Sequence, residues 1–404
     1  MNILQITNYE CASMSANDNT GINRVVTALS SYFVHTAGYT CYNAYFNANP
    51  KGLSEVFSAG LQLALPLNED EFRSFLIVNQ IDRIVINVFK TEHIRILPQI
   101  NQIAHQCQAK TTYCIHFMPG YEAYAHTDSP LLYYNLFHKI KVVDTFKKWI
   151  INISRPLSSE LILKVIKKRY LLPLEATDKV VVFSESYIQQ YLDIARSRHS
   201  EKMVAIPNPL PFSSFMSKDE LVNKKKTVII VGRLYEPQKR LSYALRVWKM
   251  IEKNPNLIDW KLIVVGAGDS EGYYKWLIEK YHLKNVVLTG PQDPKPYYKE
   301  ASILISSSAF EGWPMVIMEG MPIGVIPCVF NSYGATRDII DHNENGIIAP
   351  DNNIKAMYES LADLMLNPDK RLQMATATIE KSKSFDMAII GERWRKDALQ
   401  ALPD

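Results

Sequence analysis

The sequence contains no Cys-x-x-Cys pair and no Asp-x-Asp. Its five cysteines, Cys11, Cys41, Cys107, Cys114 and Cys328, follow no regular spacing. That pattern argues against a disulfide or zinc framework and predicts buried thiols, with no metal expected anywhere. No apolar run approaches the ~18 residues of a membrane span, and the start, Met1-Asn-Ile-Leu-Gln-Ile, lacks the charged and apolar regions of an export signal. A cytoplasmic location is the expectation. A full GxGxxG is missing as well, so Gly266-Ala-Gly268 does not support a dinucleotide site. Charge of one sign is scarce overall, +4 net over 404 residues, but it is unevenly spread.

Between Lys139 and Tyr170 stand nine basic residues against two acidic ones, Asp144 and Glu160. Phe146, Trp149, Ile150, Leu161, Ile162 and Val165 interleave with Lys139, Lys141, Lys147, Lys148, Arg155, Lys164, Lys167, Lys168 and Arg169. This mixture favours an anionic membrane surface over nucleic acid as partner for 139–170. The competing reading is a pair of solvated helices whose apolar faces pack inside the N-terminal domain.

What remains is ordinary for a globular protein: 47% apolar and 21% charged residues, over a length suited to two or three domains. Asn2 to Ile6 reads as a strand entering a polar loop, and Gly21 opens a helix with Ile22, Val25, Val26, Leu29 and Phe33 on one face. Strands follow at Arg83 to Val88 and Thr111 to Ile115, with a helical pattern from about His93 to Gln108 between them. His116 then stands at a strand end before Pro119-Gly120. Lys179 to Phe183 is a strand, and Ser184-Glu-Ser starts a helix through Ala195. The proline-rich stretch from Val204 to Phe212 is the expected linker. A second alternation begins at Thr227 to Val231, continues at Leu262 to Val265 and Val286 to Thr289, and includes Ala301 to Ser306. Two successive β-α alternations predict two doubly wound α/β domains facing a cleft.

Three loops carry chemistry. Gly232-Arg233 to Lys239-Arg240 follows a strand and precedes a helix, so Arg233 as a planar fork and Lys239 as a point charge are placed to meet an anion; a solvated basic loop is the bland alternative. Gly290-Pro291-Gln292 ends another strand. In Ser306-Ser-Ser-Ala-Phe-Glu-Gly-Trp-Pro-Met-Val-Ile-Met-Glu-Gly320, Glu311 and Glu319 are separated by seven residues across a Gly312-Trp313-Pro314 turn. Pro314 is expected at the first helical position, so that backbone N–H groups around Gly312, Trp313, Met315 and Val316 face an anion. Carboxylates there suit accepting bonds from sugar hydroxyls beside a phosphate. The structural alternative makes Glu311 a partner of the helix dipole and Glu319 a solvated residue.

That stretch, with Gly320-Met-Pro-Ile-Gly324, Gly334-Ala-Thr-Arg-Asp-Ile-Ile340 and Asn345-Gly346 after it, resembles the C-terminal signature of retaining GT-B glycosyltransferases of family 4. Trp313 stands where that family usually has Phe, Gly320 where it has Ala, Ile326 where it has Pro, Arg240 where Gly is frequent, and Thr20 in place of a first loop Gly. The resemblance is strong over about 227–350 and thin before it. It implies a GT-B fold: an acceptor-binding domain over 1–208, a nucleotide-sugar-binding domain over 209–384, and a C-terminal helix over 385–404 crossing back to the first domain. It further implies a metal-independent retaining hexosyltransferase, with no cofactor, that moves a sugar from a nucleotide-sugar, UDP-sugar favoured, to a glycan or lipid-linked acceptor in cell-surface polysaccharide assembly. Arg233 and Lys239 would neutralise the diphosphate, Glu311 hold the sugar, Glu319 the ribose, and His116 the sugar from the other domain. Gly21, Gly232, Gly290, Pro291, Gln292, Gly312, Trp313, Pro314, Met315 and Val316 would line the donor. A catalytically silent GT-B scaffold and a GT-B nucleotide-sugar epimerase are the alternatives. The expected place of work is the cytoplasm, with peripheral attachment to the inner face of the plasma membrane as the further option.

Overall fold

The computed structural model describes residues 1–12, 21–123, 129–138, 143, 155–212 and 214–400, with backbone only at 129 and 155–165. The chain divides into two compact units: Met1–Pro119, Lys164–Pro211 and Phe385–Asp404 form one, Gly120–Leu163 and Phe212–Ser384 the other.

The first unit is built on seven strands: β1 (Asn2–Tyr9), β2 (Thr40–Asn47), β3 (Gly60–Gln62), β4 (Arg83–Asn87), β5 (Lys110–Cys114), β6 (Lys179–Val182) and β7 (Met203–Ala205). They pair in parallel in the order β3-β2-β1-β4-β5-β6-β7. Runs such as Ile84-Val85-Ile86 and Val180-Val181-Val182 are buried throughout, as strands covered on both faces must be. The order reverses between β1 and β4, and their C-terminal ends are where an open parallel sheet leaves a crevice.

β1 runs on to Tyr9, beyond the apolar stretch, because its polar end is paired: Thr7 Oγ1 donates to the Tyr9 carbonyl at 2.7 Å. β2 escapes apolar periodicity because the buried Asn43 at its centre donates to the Gln5 carbonyl and Thr7 Oγ1, each at 3.0 Å. The single helix expected over His93 to Gln108 is two helices, Thr91–Ile94 and Leu97–Gln106. Pro98 in the first turn of the second has no N–H to continue the first helix. Four cysteines are buried as expected and Cys107 is half-buried; all five are free thiols.

The chain returns to the first unit at its end. Helix Met387–Arg393 lies against helix Gly21–His35, where an added Cβ on Gly391 would meet Tyr32 Cε1 at 2.3 Å. Arg393 donates to the Ala205 carbonyl at 2.5 Å, and the Ala398 and Leu399 carbonyls accept from Thr112 Oγ1 at 3.1 Å and Arg83 Nε at 2.5 Å.

The second unit has six parallel strands: β8 (Lys225–Val231), β9 (Lys261–Val265), β10 (Val286–Gly290), β11 (Ala301–Ser306), β12 (Ile326–Asn331) and β13 (Ile347–Pro350), in the order β10-β9-β8-β11-β12-β13. Here the switch point falls between β8 and β11. Trp248, Trp260, Tyr273 and Tyr274 are fully buried in its core. Part of helix Ser129–Phe137 packs there too: Leu131 and Tyr134 are buried in the same core, an assignment that the 208/209 boundary read from the sequence does not contain.

Of the basic stretch 139–170, positions 139–142 and 144–154 fall outside the described residues, Lys139, Lys141, Phe146, Lys147, Lys148, Trp149 and Ile150 among them. Lys167 and Lys168 lie on helix Arg155–Ala176, while the Arg169 guanidinium is spent on the protein itself, donating to the Phe89 carbonyl at 2.6 Å. Among the described residues no helix is long and apolar enough to cross a membrane.

Candidate functional site

The loop leaving β8 turns sharply at Gly232, whose φ of +143° only glycine adopts without strain. Gly232 N–H donates to the Val265 carbonyl at 3.0 Å, and Gly266 N–H to the Gly290 carbonyl at 2.9 Å, so the ends of β8, β9 and β10 are laced together. The contact is so close that a Cβ on Gly266 would sit 1.9 Å from the Gly232 carbonyl oxygen. The Gly266-Ala-Gly268 pair is therefore a packing device under the Arg233 loop, in keeping with its poor match to a dinucleotide fingerprint.

After Gly232 the chain makes a single helical turn, Glu236–Lys239, passes Arg240 in the left-handed conformation at φ +44°, and enters helix Leu241–Ile251. Fully buried Glu236 fixes this corner: it accepts from the Ser242 hydroxyl at 2.5 Å and the Ser242 N–H at 3.2 Å. Arg240 does so from the other side. Its guanidinium donates to the Ser307 carbonyl (2.9 Å), the Ser308 carbonyl (3.2 Å), Ser332 Oγ (3.0 Å), Asp351 Oδ1 (2.8 Å) and Asn352 Oδ1 (3.3 Å). A residue type that dislikes a positive φ thus stands where the resembled family often has Gly, held by five acceptors from three loops.

This corner presents Lys239 to Glu311. Lys239 Nζ lies 2.6 Å from Glu311 Oε1, an ion pair whose side chains are only 22% and 11% exposed. Gln238 Nε2 donates to Glu311 Oε2 at 3.3 Å, and Gln238 Oε1 accepts from Arg233 Nη2 at 3.1 Å. Arg233 itself is exposed and stacks over Tyr235 at 4.9 Å. Gly232, Arg233, Lys239 and Val316 line one small cavity together with Ser306, Ser307 and Ser308. Two cations, one carboxylate and a serine-rich strand end thus meet at the C-terminal ends of β8 and β11, the switch point of the sheet. Among the described residues no cluster of three His, Cys, Asp or Glu side chains could hold a metal ion.

Gly312, Trp313 and Pro314 are buried, and the helix that follows spans Met315–Gly320. Pro314 sits one residue before the helix rather than at its first position, with ψ 84°. Glu319 is the fifth residue of that helix. Its Oε2 accepts from Tyr298 Oη at 3.0 Å, and the same hydroxyl lies 3.2 Å from the Val316 carbonyl, so a buried tyrosine sets the carboxylate against the helix's first turn. Pro291 and Gln292 are exposed after Gly290, with Tyr297 Oη bonded to Gln292 Oε1. Asn345 and Gly346 serve the fold: Asn345 Nδ2 donates to the Ile339 carbonyl at 3.0 Å, and a Cβ on Gly346 would strike the Pro327 carbonyl oxygen at 2.6 Å.

Gly21 and His116 belong to the first unit. Gly21 opens its helix, and among the described residues nothing comes within 4 Å of where a Cβ would stand. His116 follows β5, its Nε2 2.9 Å from Asn87 Oδ1, while Asn87 Nδ2 donates to Gln5 Oε1 at 2.9 Å. That chain orients the amide, makes Nε2 the protonated nitrogen and leaves Nδ1 as an acceptor. Burial pulls the His116 pKa down to about 3, so the imidazole is neutral at working pH.

Sequence reasoning missed Gln238 as the bridge between Arg233 and Glu311, Asn87 behind His116, and Tyr333. The Tyr333 phenol is buried beside Glu311, and burial first, then that carboxylate's charge, pushes its pKa up. None has a local signature; each is a polar residue made relevant by strands distant in sequence.

Residues 212–381 match the family model described as Glycosyl transferases group 1. An uncharacterized glycosyltransferase of Haemophilus influenzae is 29% identical over 221 residues, 54% of this chain and 60% of that relative, so the chain spans about 60% of the relative's length. The fold is that of the GT-B glycosyltransferases. The apo lipopolysaccharide outer core galactosyltransferase WaaB superposes with a TM-score of 0.68 at 15% identity, covering 98% of both chains. Anabaena Alr3699/HepE in complex with UDP-glucose gives 0.67 at 14% identity, again covering 98% of both.

Proposed function

We propose that this chain is a retaining glycosyltransferase that takes a UDP-sugar as donor and a glycan or lipid-linked acceptor in cell-surface polysaccharide assembly, a reading supported by the match of residues 212–381 to the family model described as Glycosyl transferases group 1. One observation carries it: Arg233, Lys239 and Glu311 meet at the switch point of the second sheet. UDP-glucose in HepE supports the donor class, and the lipopolysaccharide substrate in WaaB's name supports the acceptor class.

The second unit holds the nucleotide-sugar in this reading and the first unit the acceptor. Arg233 and Lys239 receive the diphosphate, whose charge grows as the glycosidic C–O bond breaks. Lys239 moves from Glu311 to the phosphate, which releases Glu311 to accept hydroxyl bonds from the transferred sugar. Glu319, set by Tyr298, accepts from the ribose. Neutral His116, with Nδ1 as acceptor, serves the sugar. The acceptor hydroxyl attacks the anomeric carbon from the leaving group's own face, the diphosphate departs with the bonding pair, and a phosphate oxygen takes the acceptor's proton. Catalysis is metal-independent, because two cations already supply the positive potential. Peripheral attachment to an anionic membrane fits the exposed Tyr133 and Phe137 on helix Ser129–Phe137, directly before the basic stretch.

The test is a panel of nucleotide-sugars scored by thermal shift and by release of free UDP. Arg233→Ala and Lys239→Ala should each cut turnover by about 10²-fold or more with the fold intact. Glu319→Gln should weaken UDP itself. Near-normal turnover in both cation variants would overturn the phosphate assignment.

A further inference from the structure

At the other edge of the second sheet, by the N-terminal ends of β8 and β11, lies a cavity of about 220 Å³ that the proposed reaction does not use. Leu221, Lys224, Gly324, Arg371, Leu372 and Ala375 are in its wall. Two cations in one small, largely apolar hollow call for a counter-charge. Lys224 Nζ donates to the Tyr298 carbonyl at 2.8 Å, one of the three bonds an ammonium group can donate. Arg371 Nη1 donates to the Leu364 carbonyl (2.7 Å) and the Met365 carbonyl (3.0 Å), and its guanidinium lies over Trp260 at 5.1 Å.

Among the described residues neither cation is within ion-pair distance of a carboxylate; Asp369, also in the wall, is exposed and pairs with neither. Burial pulls the Lys224 pKa down to about 7 and lowers that of Arg371, the signature of positive charge desolvated without compensation. Helix Pro368–Lys383 begins in the same wall, adding the positive end of its dipole. These three contributions have one sign; beside the exposed Asp369 the other polar side chain of the wall is Ser302, whose hydroxyl donates to the Lys225 carbonyl at 2.6 Å, and the remaining side chains are apolar.

We propose that this cavity is a second ligand site that binds a small organic anion, its carboxylate or phosphoryl head on Lys224 and Arg371 and its apolar body against Leu221, Leu372 and Ala375. The volume is below the roughly 300–1,000 Å³ of drug-sized sites, which restricts the body to a few carbons.

The test is calorimetric titration of the full chain with hexanoate, hexyl phosphate, n-hexanol and inorganic phosphate. One or both amphiphilic anions should bind at one site, the tighter of the two identifying the head group. Hexanol, which lacks the charge, and inorganic phosphate, which lacks the body, should each bind at least about tenfold more weakly, the loss expected when a charged hydrogen bond or several buried methylenes are removed. Lys224→Met should weaken the better anion by about tenfold or more. Ala375→Leu, which fills the hollow and keeps both cations, should abolish binding and remains informative if Lys224→Met loses its fold. No binding of either anion, equal binding of hexanol, or undiminished binding to Ala375→Leu would overturn the proposal.

Discussion

Replacing Arg240 by Gly sets two effects of opposite sign against each other. Glycine relieves the left-handed backbone at φ +44°, a gain of about 1 kcal/mol. Against that, the guanidinium fan is lost. The Ser308 carbonyl keeps a partner, because Ser332 Oγ also donates to it at 2.6 Å, but the Ser307 carbonyl loses a charged donor inside the protein. Such an orphaned acceptor costs about 1–3 kcal/mol. The Asp351 pair, with side chains 13% and 34% exposed, adds at most about 1 kcal/mol. The balance is a net loss of about 1–2 kcal/mol on replacing Arg240 by the residue frequent in related loops. Urea unfolding followed by tryptophan fluorescence measures it, since Trp248, Trp260, Trp276 and Trp313 all lie in the second unit. Arg240→Asn tolerates the same φ without the fan, so it should fall as far as Arg240→Gly. A glycine variant as stable as the parent, or more so, would refute the reasoning.

Gly272→Ala would place a Cβ 2.9 Å from the Tyr134 hydroxyl, whereas the ring carbon bearing it is at 4.0 Å; the substitution should destabilise by about 1 kcal/mol despite alanine's better helix propensity, and adding Tyr134→Phe should restore the loss. Strictly additive effects of the two changes would refute the contact. His116, neutral in the fold with a pKa near 3, makes no stability contribution above its unfolded pKa near 6.5, but below that the unfolded chain takes up a proton that the folded one refuses. Stability should therefore drop as pH falls from about 6.5 towards 3, by up to about 1.4 kcal/mol per unit, and His116→Gln should flatten that slope when unfolding is followed against pH. Exhaustive chelation should leave turnover unchanged, and activity lost and then restored by Mg or Mn would sink the metal-independent mechanism.

Both doubly wound sheets were legible because central parallel strands are apolar along their whole length: Ile84 to Ile86, Val180 to Val182, Val228 to Val231 and Ile303 to Ile305 announce themselves locally. So did the Gly232 to Lys239 loop and Glu311, since a strand end, a glycine and a charge are neighbours in sequence. β2 was not legible, because its centre is a buried asparagine satisfied by Gln5 and Thr7 some 36–38 residues away. Nor was helix Ser129–Phe137 as part of the second core: its apolar residues declare that it is buried, not what it is buried against. The Lys239–Glu311 pair, the Gln238 bridge, the Arg240 fan and the Lys224–Arg371 cavity share that cause. Periodicity and spacing report what one segment needs; which distant partner meets the need is decided only when parallel strands bring their ends to a common edge.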